Sequence, residues 1–168
     1  PTVKVIDETE SNESYAVIYK FDLPSETING CFNVTSGALT IPDELGGKYV
    51  KVIRESTFAN NSTITSVTFN EHLVQICNNA FYNCLNIGTL DFNQCDKLRE
   101  VSYFAFQNDK LKNEQITSLV LPDCLYYVGD YSFANFVNVD DFHISSNMKA
   151  IADLAFYNLG YNKSGVID

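Results

Sequence analysis

Few residues of this chain have side chains suited to catalysis or metal binding: two histidines, five cysteines and a surplus of carboxylates. Glu71 precedes His72, and Asp141 lies two residues before His143, so each histidine has an acidic neighbour that could orient it for acid–base chemistry. The histidines are 71 residues apart and no Cys-x-x-Cys motif is present, which argues against zinc. With no evident nucleophile, the sequence predicts no catalytic residue, metal or cofactor.

The composition excludes two classes of partner. At net charge −10 and a pI near 4.5, the chain lacks the Lys and Arg excess that nucleic acids and anionic membrane surfaces attract. No apolar run approaches the roughly 20 residues that span a bilayer, so no membrane insertion by this segment is expected. A hydrophobic content of 45% is enough for one folded unit with a sizeable core.

A signature that occurs five times organises the chain. An aliphatic residue is followed five positions later by Phe, and Asn follows two positions after the Phe. The Phe residues lie 23, 25, 27 and 23 positions apart, and a period in this range predicts the stacked coils of a solenoid. The copies are Ile53/Phe58/Asn60, Ile76/Phe81/Asn83, Val101/Phe106/Asn108, Val128/Phe133/Asn135 and Ile151/Phe156/Asn158.

Each coil is predicted to contain one short strand and one short helix, which makes the fold α/β. In the second coil, strand alternation points Val67 inward and Thr68 outward, while the segment around Phe81 has helical spacing. Helices need about 10 Å of lateral room and strands about 4.8 Å, so the parallel sheet should line a concave side and the helices a convex side. The outward residues on this concave face are Thr40, Ser66, Thr68, Thr89, Asp91, Ser118, Val120, Asp141 and His143.

The Asn of the signature needs an explanation other than hydrophobic burial. Asn enters the left-handed backbone region more readily than other non-glycine residues, and it often ends a short helix there. Its side chain could also bond to the backbone of a neighbouring coil. Both explanations are compatible with the sequence.

The two ends and three insertions depart from the period. Residues 1–36 alternate as a β-hairpin and are predicted to form an N-terminal cap, whereas residues 37–168 hold five repeats and the start of a sixth coil. At the far end, either the native protein continues or Tyr157, Leu159 and Tyr161 cover the last coil. The insertions are a hairpin turn at Gly46-Gly47, two residues near Asp96-Lys97, and four residues around 111–115.

An odd number of cysteines spread through a repeat chain does not indicate a disulfide framework. Cys95 and Cys124 lie at equivalent positions of consecutive coils. A coil spacing of about 4.8 Å falls within the Cα separation of a disulfide. Two free thiols are the simpler interpretation, and a disulfide stays open.

Several motifs resemble the BspA-like leucine-rich repeat family. Ile41-Pro42 and Leu121-Pro122 match its strand end, and residues 80–84, Ala-Phe-Tyr-Asn-Cys, match its second motif. The resemblance implies a leucine-rich-repeat solenoid. It also implies an exported or surface-attached protein of host-associated bacteria or mucosal protozoa, associated with adhesion to host matrix proteins or other cells.

Two functions remain in competition. A solenoid face lined by hydroxyl, amide and carboxylate groups suits a wet contact with a protein or glycan on a host or neighbouring cell, which predicts an adhesin-like, extracellular or cell-surface module without enzymatic activity. The alternative is a structural spacer or assembly segment of a larger surface protein with no ligand of its own. The lack of aromatic residues on the predicted concave face favours the spacer to some degree.

Overall fold

The computed structural model describes residues 2–6, 18–32, 37–108 and 114–162, and this part of the chain is a solenoid of short strands and turns. Its strands are β1 (Thr2–Ile6), β2 (Ile18–Asp22), β3 (Thr27–Phe32), β4 (Ala38–Thr40), β5 (Glu44–Leu45), β6 (Lys48–Tyr49), β7 (Val52–Ile53), β8 (Ser66–Thr68), β9 (Gln75–Ile76), β10 (Thr89–Asp91), β11 (Glu100–Val101), β12 (Ser118–Val120), β13 (Tyr127–Val128), β14 (Asp141–His143) and β15 (Ala150–Ile151).

Each coil contributes one strand to each of two faces. The two-residue strands β7, β9, β11, β13 and β15 hold the aliphatic residue of the signature. Together with β1, β2 and β3 they form one continuous sheet, in the order β1-β2-β3-β7-β9-β11-β13-β15, which is parallel from β3 onward. The three-residue strands β4, β8, β10, β12 and β14 form the other face, called the short-strand face below. The leucine-rich-repeat solenoid with parallel strands is therefore confirmed.

The short helices predicted around each Phe are wrong. In the described part of the chain this side of the coil consists of turns, and its amides bond to the next coil: Phe58 N–H donates to the carbonyl of Ala80, and Phe81 N–H to that of Ala105, both at 2.8 Å. The residue two positions before each Phe lies in the left-handed region, which interrupts any helix. These residues, with φ of 54–58°, are Ser56, Asn79, Phe104, Tyr131 and Leu154.

Without helices, the physical reason for a concave sheet no longer applies. Both sides of the coil are hydrogen-bonded to the next coil, so both have the close spacing of strands rather than the wider spacing of helices.

The described part contains no helix that could cross a membrane.

Four Asn residues of the signature have the predicted left-handed backbone, and the predicted side-chain bond to the backbone of a neighbouring coil is found at Asn135, whereas Asn83 and Asn158 bond to an Asn side chain. Asn60, Asn83, Asn135 and Asn158 have φ of 59–70°. Their side chains also bond between coils: Asn83 Nδ2 donates to Asn60 Oδ1 (3.1 Å), and Asn158 Nδ2 to Asn135 Oδ1 (2.9 Å). Asn108, next to the undescribed residues 109–113, is not among the left-handed residues; its carbonyl accepts a bond from Asn135 Nδ2 (3.2 Å).

The predicted aromatic column is the centre of the core. Phe58, Phe81, Phe106 and Phe133 are at most 3% exposed, and Phe156 is half-buried at the last coil. Consecutive rings stack nearly parallel, with centroids 4.8, 5.1, 5.3 and 5.7 Å apart. Offset or stacked aromatic pairs add stability beyond the area that they bury.

The N-terminal segment pairs as a hairpin and also joins the solenoid. β1 and β2 are antiparallel, as the alternation predicted; the connecting residues 7–17 lie outside the described part. β3, which the sequence analysis missed, pairs antiparallel with β2 and parallel with β7, so that Ile28 aligns with Ile53. Ile28 thus adds one more member to the aliphatic column, and this member lies within residues 1–36, which the sequence predicted to be the cap.

The last coil leaves apolar side chains in solvent. Ile151 and Leu154 are each 48% exposed, and Tyr157 and Tyr161 are 49% and 69% exposed, whereas Leu159 packs against the core. The two tyrosines therefore do not cover the coil, and residues 163–168, which would start a sixth coil, lie outside the described part.

Phe81→Ala should cost about 3–5 kcal/mol of unfolding free energy, because it leaves a cavity in the middle of the ring column. Thr68→Ala, on the short-strand face, should change it by about 0.5 kcal/mol or less. Urea unfolding of both variants measures the difference. Equal losses would contradict the assignment of the two faces.

Asn83→Ala should destabilise the protein more than Asn83→Gly by about 1 kcal/mol. Both variants lose the amide bond to Asn60, but only Gly accepts the left-handed backbone without strain. Thermal unfolding of the two variants measures this difference. If they are equally stable, the role of Asn83 is its side-chain bond alone.

Candidate binding cleft on the short-strand face

The structure places all the predicted ligand-binding residues on the short-strand face. Each is exposed or half-buried, as strand alternation requires. The parallel registers align Thr40 with Thr68 and Asp91, Ser66 with Thr89, Ser118 with Asp141, and Val120 with His143.

This face is divided between the third and fourth coils. β4, β8 and β10 form one sheet, and β12 and β14 form another, whereas the sheet on the opposite face continues through the same coils. The division falls where the chain carries the insertions near Asp96-Lys97 and around 111–115. Extra residues at this point lengthen the coil, so strands β10 and β12 do not pair in register.

The division removes a backbone hydrogen bond at Phe92. In neighbouring coils, Phe69 N–H donates to the carbonyl of Asp91 and Leu121 N–H to that of His143, both at 3.0 Å. Phe92 occupies the equivalent position, yet its N–H has no acceptor among the described residues. Phe92 is only 4% exposed. Phe92 lines the two open cavities described below, so its N–H can bond to water or to an acceptor from a ligand.

Two open cavities lie along the division and together form what we call the cleft. One has a volume of about 610 Å³ and the other about 340 Å³, and Phe92, Asn93 and Val120 line both. The larger is also lined by Cys95, Asp96, Leu121, Pro122, Asp123, Cys124, His143 and Asn147. The smaller is also lined by Gly88, Thr89, Leu90, Asp91, Thr117 and Ser118.

The polar side chains of the cleft are held by local contacts. Asp91 Oδ1 accepts a bond from Asn93 N–H (3.0 Å), and Ser118 Oγ donates to Asp141 Oδ2 (2.7 Å). The pairing of His143 with Asp141 considered from sequence is not found; His143 Nε2 instead lies 3.7 Å from Asp123 Oδ1. Three carboxylates line the cleft; Lys97 lies 3.8 Å from that of Asp96, and Arg99 donates to the carbonyl of Cys124, so Asp91 and Asp123 provide the acceptors that no Lys or Arg contacts among the described residues.

The thiols of the cleft are free and unreactive in character. Cys124 Sγ donates to the carbonyl of Cys95 (3.1 Å), and neither cysteine is in a disulfide. Burial, with a smaller contribution from Cys124, raises the pKa of the Cys95 thiol to about 12. Burial also raises the pKa of Cys124. A nucleophilic thiolate is therefore not available in the cleft near neutral pH.

Sequence reasoning missed an aromatic cluster on the turn side of the coils. Phe104 and Tyr131 stack with centroids 5.5 Å apart, and Tyr103, which is 42% exposed, packs edge-on against Phe104. The assumption of helices hid this alignment. The signal was in the sequence, because Phe104 and Tyr131 each lie two positions before a Phe of the signature.

A scan of family models matches residues 22–161 to the BspA type leucine rich repeat region, in six copies. The chain belongs to this family. The matched region begins at residue 22 and so includes β3, in agreement with the position of Ile28 in the aliphatic column. No curated protein matches the chain.

Solved structures of bacterial leucine-rich repeat proteins have the same fold as this BspA-like chain. The T. pallidum leucine rich repeat protein TpLRR superposes with a TM-score of 0.73 at 19% identity, over 85% of this chain and 64% of its own. The pneumococcal vaccine antigen PcpA superposes with a TM-score of 0.62 at 19% identity, over 94% of this chain and 43% of its own. A leucine rich cell surface protein of Faecalibacterium prausnitzii superposes with a TM-score of 0.57 at 16% identity, over 92% of this chain and 46% of its own. The chain thus spans less than two thirds of each.

Cys95 should react with a maleimide at pH 8 far more slowly in the folded protein than after unfolding in guanidinium. Its pKa of about 12 leaves almost no thiolate at that pH, and the thiolate is the nucleophile. Peptide mass spectrometry after timed labelling gives the rate at each cysteine. Equal rates in the folded and unfolded protein would show that Cys95 is not buried.

Proposed function

We propose that this protein is a non-enzymatic interaction module that works outside the cell or at its surface, where the short-strand face binds a protein or glycan of a host or neighbouring cell. Membership of the BspA-like family supports a role in protein interaction. Two proteins of the same fold are described as a vaccine antigen and a cell surface protein, which favours a surface location.

The observation that carries the proposal is the cleft, where the Phe92 N–H has no acceptor among the described residues. A binding site combines a concave surface, some apolar contact and a few oriented polar groups. The cleft provides apolar contact through Val120, which is 43% exposed, and a donor through the Phe92 amide. Its side chains add acceptors at Asp91 and Asp123. The surface is polar enough for a hydrated contact with bridging water.

The charge of the cleft selects among ligands. Carboxylates of Asp91, Asp96 and Asp123 face the cavities, so an anionic sugar or an acidic peptide would meet like charge. A neutral glycan, or a basic segment of a protein, fits the same groups with favourable hydrogen bonds. The proposal therefore favours neutral or basic ligands over sialylated or sulfated ones.

The alternative function is a spacer or assembly segment of a larger surface protein. The exposed apolar side chains of the last coil favour it, because Ile151 continues the aliphatic column that is buried in the earlier coils, and Leu154 is exposed beside it. Such a surface suits the stacking of another coil more than capture of a soluble ligand. The two functions are compatible if the cleft binds a ligand while the last coil packs against another part of a larger surface protein.

Val120→Arg and His143→Lys should each weaken capture of a neutral or basic cleft ligand by about 10-fold or more, because they place bulk and positive charge where the ligand sits. The measurement is surface binding of immobilised neutral glycans and host matrix proteins, with melting temperature as the check on folding. Thr40→Arg is the matched control, since Thr40 is on the same face but on β4, away from β12.

Binding that survives Val120→Arg and His143→Lys would contradict the cleft as the site. Loss with Thr40→Arg as well would assign binding to the whole face rather than to the cleft. If no ligand in the panel depends on any of the three, the spacer function is favoured.

A further inference from the structure

A cluster of three potential metal ligands lies at the edge of the first two coils, away from the cleft. Asp43 follows β4 and Glu71 follows β8, each three residues past the end of its strand, so coil stacking brings the two carboxylates together. His72 is next to Glu71. One carboxylate oxygen of each acid and Nδ1 of His72 all lie within 4.8 Å of one another.

The geometry centres on a single nitrogen. His72 Nδ1 lies 2.6 Å from Asp43 Oδ1 and 3.4 Å from Glu71 Oε1, so both acids face the same atom. The imidazole is fixed by Tyr49, whose ring stacks on it with centroids 3.7 Å apart and an interplanar angle of 4°. The ring that would carry a metal ion is therefore already held in place.

The charges at this position are unbalanced. Stacked like charges destabilise neighbouring strands, and in the described part of the chain no lysine or arginine forms an ion pair with Asp43 or Glu71. Nδ1 carries at most one hydrogen, so it can make a strong hydrogen bond to only one of the two acids. A divalent cation would neutralise both carboxylates at once.

A cavity beside these residues has room for a bound ion and its water. It has a volume of about 300 Å³ and is lined by Asp43, Glu71 and Asn70. Asn70 is 7% exposed, and its Nδ2 donates to the carbonyls of Pro42 (2.7 Å) and Val50 (3.2 Å), which holds the second coil against the first beside the three ligands.

We propose that Asp43, Glu71 and His72 bind a divalent transition-metal ion of the Zn²⁺ type, with the remaining coordination position open to water. A tetrahedral ion with bonds of about 2.0 Å holds its ligand atoms about 3.3 Å apart. The contact between Nδ1 and Glu71 has about this length, that between Nδ1 and Asp43 must lengthen, and the two carboxylate oxygens, which lie within 4.8 Å of each other, must adopt the same separation. One nitrogen and two carboxylates suit Zn²⁺ better than Ca²⁺, which takes six to eight oxygens.

Bound metal would join the first coil to the second, because Asp43 belongs to one and Glu71 and His72 to the other. The site would then stabilise the N-terminal end of the solenoid, where the coils meet the cap. This role is independent of any ligand in the cleft.

The test is titration of the EDTA-treated protein with ZnCl₂ by calorimetry, together with melting temperature with and without the metal. The wild-type chain should bind one Zn²⁺ and melt at a higher temperature. His72→Phe keeps a ring stacked on Tyr49 but removes the nitrogen, and Asp43→Asn removes one charge. Each should weaken binding by at least the roughly 10-fold that loss of even an outer-shell partner costs.

Two controls separate this site from other metal ligands in the chain. Asp123→Asn alters the other His–Asp contact, which lacks a third ligand, and should bind Zn²⁺ as the wild type does. The double variant Cys95→Ser/Cys124→Ser should also bind normally. The proposal is overturned if the wild type shows no binding at millimolar ZnCl₂, if His72→Phe binds equally well, or if binding disappears with the two cysteines.

Discussion

Hydrogen bonds between neighbouring coils, made on both sides of every coil, are the constraint on which this structure depends. On the sheet side, Cys77 N–H donates to the carbonyl of Ile53 (2.9 Å); on the turn side, Phe81 N–H donates to that of Ala105 (2.8 Å). A turn replaces the expected helix because intercoil bonding requires left-handed residues within each coil. Holding Tyr131 or Leu154 in that region costs about 1–2 kcal/mol, which the bonds to the next coil and the packing of the Phe column offset.

The candidate binding site lies on the short-strand face, where bonding between the third and fourth coils is interrupted. The sheet of two-residue strands and the Phe column continue past the third coil, so the solenoid stays intact there. Only the short-strand face divides, and the division leaves the cleft and the free Phe92 amide. A regular repeat would satisfy every backbone group and leave little to recognise. Departures from the period are thus the natural places for function in this fold.

The sequence was sufficient for the parts of the fold that depend on side-chain burial. The five Phe residues, the aliphatic column and the outward Thr and Asp residues follow from periodicity, because burial repeats with the coil. The turn side was predicted wrongly because Ala80, Phe81 and Cys84 also fit helical spacing, and periodicity cannot show which carbonyl an amide bonds. The cleft could not be derived from the sequence either. The insertions lie between β10 and β12 and so indicate where the period changes, but they do not show whether the two strands stay paired, because that depends on the backbone register.

Amide hydrogen exchange followed residue by residue by NMR tests the central claim most directly. If coils are bonded on both sides, the N–H groups of Phe81 and Phe133 should be protected as strongly as that of Cys77, although they lie in turns. The Phe92 N–H should exchange much faster than its equivalents at Phe69 and Leu121. Rapid exchange at Phe81 and Phe133, or protection of Phe92 equal to that of Phe69, would contradict the account.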